Sequence, residues 1–120
     1  TATTPAWIYG LVQDGTNRSN LAFVNANPAG SAIRLRVELF RASDGATVAT
    51  IEGTETTLAP GDWGQIDRVL ERYAPGTTSA YARVTLVSGT SPFVTYAVVN
   101  DGGQPGQRSG DGAYVPMALE

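Results

Sequence analysis

The sequence predicts an all-β fold, one antiparallel β-sandwich of about seven to nine strands with a single short helix near residues 66–73. Three observations predict it. Apolar and polar residues alternate with a period of two in the longer runs, which places one face of each strand on a core and the other in water. Clusters of Gly, Pro, Asn, Asp and Ser separate these runs at short intervals. The 120 residues, 42% apolar and 16% charged, suffice for one closed core and are too apolar for a disordered chain.

Taken in order, the opening TATTPA (residues 1–6) reads as a linker remnant, and the first strand runs from Trp7 to Val12. Asp14-Gly15 turns the chain into Leu21 to Val24, and Asn27-Pro28-Ala29-Gly30 turns it again. Ile33 to Leu39 gives the cleanest alternation, with Ile33, Leu35, Val37 and Leu39 set against Arg34, Arg36 and Glu38. Thr47 to Ile51, Glu55 to Leu58 and a short strand begun by Trp63 follow, divided by Ser43-Asp44-Gly45 and Ala59-Pro60-Gly61-Asp62. Ile66, Val69, Leu70 and Tyr73 then fall at helical spacing, with Asp67 placed to cap the start and Pro75-Gly76 to stop the helix. Ala80 to Val87, Phe93 to Val99 and Ala113 to Val115 complete the strands. Residues 7–117 form the expected domain, and 118–120 read as a tail or cloning remnant. The expected core is Leu21, Phe23, Ile33, Leu35, Val37, Leu39, Val48, Ile51, Leu58, Ile66, Val84, Leu86, Tyr96 and Val98.

The missing residue types narrow the chemistry. The chain has no Cys and no His, and all 8 of its basic residues are Arg. Thiolate nucleophiles, disulfides and Cys/His zinc sites are therefore excluded, as are the Ser-His-Asp relay and Schiff-base chemistry on lysine. A net charge of −3 provides no basic patch for nucleic acid or anionic membrane, and no apolar run is long enough to span a bilayer as a helix. Asp67 with Glu71, and Glu52 with Glu55, are the closest approaches to paired carboxylates, but both pairs stand in polar, Arg-containing contexts. A glycosidase needs two carboxyls facing across a cleft, one of them kept protonated by burial. The expectation is a protein that is not an enzyme.

Three stretches remain as candidate sites. Residues 100–112, NDGGQPGQRSGDG, contain five glycines and no apolar side chain. A phosphate-binding loop would need a lysine. Asp101 and Asp111 can offer hard oxygen ligands to calcium, the one cofactor the chain suggests, although the EF-hand spacing is absent. The plainer reading is a connection between strands, pinned by Arg108 to one of the aspartates. In the second stretch, residues 14–20, side chains such as Asn17 and Arg18 offer donors and acceptors to a sugar or a cation, while the local composition better suits a corner whose side chains bond their own backbone. The aromatics make the third group. It comprises Trp7, Tyr9, Trp63, Tyr73, Tyr81, Phe93, Tyr96 and Tyr114. Of these, Trp7, Tyr9, Trp63 and Tyr81 are the candidates for stacking on carbohydrate if they form an exposed row, and for packing within the core or at a sheet edge if they do not.

Several segments together are similar to a known type of module. These are Arg18-Ser19-Asn20-Leu21-Ala22-Phe23-Val24-Asn25, the strand ending Glu38-Leu39-Phe40, Leu58-Ala59-Pro60-Gly61-Asp62-Trp63-Gly64-Gln65 with the Val69-Leu70 that follows, Ala82-Arg83-Val84, Tyr96-Ala97-Val98-Val99 and Tyr114-Val115-Pro116. They resemble the immunoglobulin-like β-sandwich accessory modules that recur toward the C-terminal ends of large secreted or surface proteins of bacteria. The resemblance covers most of residues 16–117. It implies an immunoglobulin-like sandwich, an extracellular or cell-surface location, other domains of a larger parent protein as partners, and no catalytic residues. The expected function is a non-catalytic accessory module acting as spacer, adhesion or interaction surface. A carbohydrate-binding module attached to a glycoside-active enzyme is the first alternative, with polysaccharide as partner, and a calcium-stabilised structural domain is the second.

Overall fold

A computed structural model describes residues 2–100 and 112–120. The expected all-β sandwich is what the chain forms. Among the described residues ten strands, all paired antiparallel, make two sheets: β1 (Ala6–Val12), β2 (Arg18–Asn25), β3 (Ile33–Arg41), β4 (Thr47–Ile51), β5 (Thr57–Leu58), β6 (Trp63–Ile66), β7 (Ser79–Ser88), β8 (Phe93–Asn100), β9 (Gly112–Pro116) and β10 (Ala118–Leu119). One sheet has the order β10-β1-β7-β3-β4, with β5 also paired to β3, and the other has β6-β2-β8-β9. Two of the ten strands, β5 and β10, have only two residues each.

The centre of this topology is interlocked. Consecutive strands β2 and β3 lie in different sheets, as do β6 and β7, and β2 pairs with β6 while β3 pairs with β7. That is the B–E and C–F pairing of immunoglobulin sandwiches. The flanking strands are exchanged relative to that scheme, with β1 beside β7 and β8 beside β2.

β3 follows its sequence pattern throughout, with Ile33, Leu35, Val37 and Leu39 buried between the sheets and Arg34 and Arg36 exposed. In β1, Ile8 and Leu11 are both fully buried although three residues apart. A register shift against β7 falls between them, and Gly10 takes φ +82° there, so a bulge returns Leu11 to the core and leaves Tyr9 outside.

β8 departs from the expected core. Phe93, Thr95 and Ala97 point inward, whereas Tyr96 and Val98 lie on the outer face. The run FVTYAVVN carries apolar side chains on both faces, so its own pattern cannot choose between them. Its partner chooses. Leu21, Phe23 and Asn25 of β2 are buried and stand opposite Ala97, Thr95 and Phe93, and directly opposed residues share a face. Small Ala97 and Thr95 make room for Leu21 and Phe23, and the Thr95 hydroxyl is satisfied by donating to the Ala22 carbonyl at 2.9 Å.

The helix, α1 (Val69–Tyr73), is shorter than its apolar spacing suggests. Ile66 is the last residue of β6, and Arg68, not Asp67, stands at the N-cap with φ 49°, ψ 55°. Asn20 holds that conformation by accepting the Arg68 N–H at 2.9 Å, which drops Val69 and Leu70 into the core. Glu55 belongs to a 3-10 turn (Thr54–Thr56) that precedes β5. Its carboxylate accepts two bonds from Arg72, at 2.8 and 3.0 Å, and another from the Tyr73 hydroxyl, tying the turn to the helix. Of the segments set apart in the sequence, Ala2 is buried and bridges Phe93, while Ala118 and Leu119 pair with β1.

Candidate functional site

Apart from Phe23 and Phe93 in the core and Tyr73 on the helix, the aromatic residues lie on the outer faces of the two sheets, and they separate the sequence candidates into two groups. On the six-stranded sheet, the Tyr9 and Tyr81 rings lie 5.9 Å apart, Trp7 lies 6.2 Å from Tyr9 and 6.1 Å from Tyr81, and Phe40 of β3 stacks on Tyr81 at 5.2 Å. This cluster is largely closed by its own neighbours. The Arg83 guanidinium sits over Trp7 at 5.6 Å and pairs with Glu120 at 3.1 Å and Glu38 at 3.8 Å. The Trp7 indole N–H donates to Glu120 at 3.1 Å. Arg83 holds the Glu120 carboxyl below its ordinary range, helped by the Trp7 bond, and Glu120 in turn raises Arg83. Tyr9 alone of the four rings is more than half exposed, at 53%.

Trp63 lies on the opposite side of the molecule, at the edge of the four-stranded sheet. Strand register sets its neighbours. Trp63 is level with Val24 and Val94, Gln65 with Ala22, Tyr96 and Pro116, and Asn20 with Val98 and Tyr114. These three rows contain no charged side chain. Trp63, Tyr96 and Tyr114 cross them on a diagonal. The Trp63 indole N–H donates to the Tyr96 hydroxyl at 2.9 Å, and the Tyr96 and Tyr114 rings have centroids 5.4 Å apart with planes inclined by 40°. Trp63 is 52% exposed and Tyr114 63%, so this face remains open to solvent among the described residues. Arg18, paired with Asn100, closes it at one end.

Asn17 sits beside that end, in a shallow cleft of about 210 Å³ lined by Gln13, Asp14, Arg18, Arg68 and Glu71 among others. The Asp14 carboxylate accepts the backbone N–H groups of Thr16 and Asn17 at 2.8 and 2.7 Å, and the Asn17 amide returns to it at 3.3 Å. These bonds lower the Asp14 pKa from its ordinary value, the backbone donors contributing most. The corner therefore bonds its own side chains. Asp101 and Asp111, the calcium candidates, lie outside the described residues.

The carboxylates considered for catalysis are each engaged by arginine. Asp67 and Glu71 both pair with Arg68, at 3.2 and 3.5 Å, Glu52 with Arg36 at 2.9 Å, and Glu55 with Arg72 at 2.8 Å. Arg72 and the Tyr73 hydroxyl push Glu55 below its ordinary range, the opposite of the raised value a general acid needs.

Sequence reasoning left Phe40 out of the aromatic group, placed Tyr96 in the core as well as in that group, and did not single out Tyr96 or Tyr114 as partners of Trp63. The signal for Tyr96 and Tyr114 lay in cross-strand register, which fixes β8 by β2 and then β9 by β8. No family model, curated protein or solved structure matches the chain.

Proposed function

We propose that this domain is a non-catalytic accessory module of a larger extracytoplasmic bacterial protein, and that its working part is an interaction surface on the outer face of the four-stranded sheet. One observation carries the reading: the uncharged diagonal of Trp63, Tyr96 and Tyr114, with its two outer members more than half exposed. Exposed apolar patches of this kind, on a domain that has a complete core elsewhere, mark interaction sites. The extracytoplasmic setting and the other domains of the parent as neighbours follow the module-like sequence pattern, and a cysteine-free chain is compatible with that setting. No helix among the described residues is long and apolar enough to cross a membrane.

The test has two parts. Incubated with chromogenic glycosides, esters and peptides, the isolated domain should release no product above the blank. Turnover abolished by Asp67→Asn or Glu71→Gln would refute the non-catalytic reading. Hydroxyl-radical footprinting should then show Trp63 and Tyr114 oxidised in the isolated domain and protected when it is held on bacterial envelope or polysaccharide. Equal oxidation in both states would remove the surface from consideration.

A further inference from the structure

The chemistry of this face also defines what fits it. We infer that the Trp63–Tyr96–Tyr114 row binds single chains of a neutral polysaccharide built from pyranose units with mainly equatorial hydroxyls. The inference rests on the interaction-surface reading and names the ligand class for that surface.

Three features carry it. Such a pyranose ring presents axial C–H groups on its faces and hydroxyls around its edge. The C–H groups are the electropositive partner that the negative face of an aromatic ring prefers, and stacking also buries apolar area. The sheet face has the matching layout, with three aromatic rings in the middle and, on the same outward rows, the uncharged amide of Gln65 and the amide nitrogen of Asn20, whose oxygen accepts the Arg68 N–H, to meet hydroxyls. Tyr96 accepts the Trp63 indole N–H, so its own proton remains to be donated.

Charge selects among ligands. The three rows carry no ionised side chain, and of the arginines bordering their Asn20 end, Arg18 and Arg68, the latter is already paired with Asp67 and Glu71. An anionic polymer laid along the rows would therefore surrender hydration with little cationic charge to replace it. Area selects against a second copy of this chain. Three rows across four strands span roughly 300 Å² at ordinary strand spacing, well below the approximately 800 Å² per partner of a stable protein interface. A narrow chain of sugars needs no more than the row itself. Geometry selects the physical form of the polymer. A crystalline polysaccharide surface requires coplanar rings, and the 40° inclination between Tyr96 and Tyr114 suits a separate, twisted chain instead.

The experiment is affinity electrophoresis of the whole 120-residue chain in gels containing soluble neutral glucans, xylans or mannans, with alginate and pectate as anionic controls. Sedimentation with crystalline cellulose and light scattering over a concentration series accompany it. At least one neutral gel should retard the parent. Trp63→Ala and Tyr114→Ala should each weaken that retention about tenfold, as expected for one stacked ring, and Tyr9→Ala should leave it unchanged. Both substituted positions are exposed, and thermal melts confirm that the variants are folded.

Retention by none of the neutral polymers overturns the inference, as does binding confined to anionic polymers or to crystalline cellulose. Neutral-glycan retention lost in Tyr9→Ala but kept in Tyr114→Ala also overturns it. Self-association abolished by Tyr114→Ala, without sugar binding, overturns the glycan assignment and leaves the interaction-surface reading standing. If the envelope and polysaccharide footprints are also flat, both readings fall together.

Discussion

Phe93 and Tyr96 provide a sharp test of the fold, because β8 could have been built with either facing the core. Phe93 is fully buried between the sheets and its backbone N–H and carbonyl are bonded to Ala2 at 2.8 and 2.7 Å. Truncation to Ala keeps those backbone bonds and empties the ring site. The lost transfer free energy and the cavity left behind cost about 3–5 kcal/mol. For a domain of this size each kcal/mol lowers Tm by about 4 °C, so Phe93→Ala should melt about 12–20 °C below the parent. Tyr96→Ala removes one bond to a solvent-exposed indole and one tilted ring contact with Tyr114. The indole can rebond to water, and the loss should be about 1–2 kcal/mol, or about 4–8 °C. Circular dichroism melts of the two variants, with urea titrations to confirm an unchanged m-value, measure the difference directly. A Tyr96→Ala loss equal to or larger than that of Phe93→Ala would mean that β8 faces the other way, which would remove the aromatic row with it.

Three further outcomes follow from the same packing. Asn25 is fully buried with its amide donating to the carbonyls of Ser31 at 2.8 Å and Leu58 at 3.4 Å, so Asn25→Ala should cost about 2 kcal/mol in urea unfolding, against near-neutrality if the site were wet. Gly89 has φ +87°, and a Cβ there would stand 2.3 Å from the Ala32 carbonyl oxygen, so Gly89→Ala should lose about 2–3 kcal/mol by the same assay; an unchanged midpoint would contradict that turn. Asp14, Asp44, Glu55 and Glu120 all have folded pKa values below their ordinary ones, through backbone donors for the two aspartates and arginine for the two glutamates. Their contribution is complete above the ordinary carboxylate range and is lost as pH falls through the lowered folded values, so Tm should be flat near neutrality and fall below about pH 4; stability rising on acidification would reverse the sign.

What the sequence revealed tracked how one-sided each strand is. β3 alternates apolar residues with Arg and Glu, so its buried face follows from the chain itself. β8 is apolar on both faces, and only its register against β2 decides that Thr95 goes in and Tyr96 out. The short helix was visible in the spacing of Val69, Leu70 and Tyr73, but its start was not, because Ile66 also completes the alternation of β6. Arg68 in the left-handed region, held by an Asn20 that is distant in sequence, makes the break between strand and helix. The candidate surface was half legible for the same reason. Aromatic residues could be found in the chain, but their partition depends on which sheet each strand joins. Trp7, Tyr9 and Tyr81 meet Phe40 on one sheet, and Trp63 meets Tyr96 and Tyr114 on the other.

That partition makes the two tryptophans internal controls for each other. The most direct measurement is a ¹H–¹⁵N titration of the labelled domain with soluble neutral oligosaccharides, following the two indole N–H resonances. The Trp63 resonance should shift saturably while that of Trp7, bonded to Glu120 on the opposite sheet, stays in place. A saturable shift of Trp7 with Trp63 unmoved, or two stationary resonances across the sugar series, would contradict the assignment of the four-stranded sheet as the binding face.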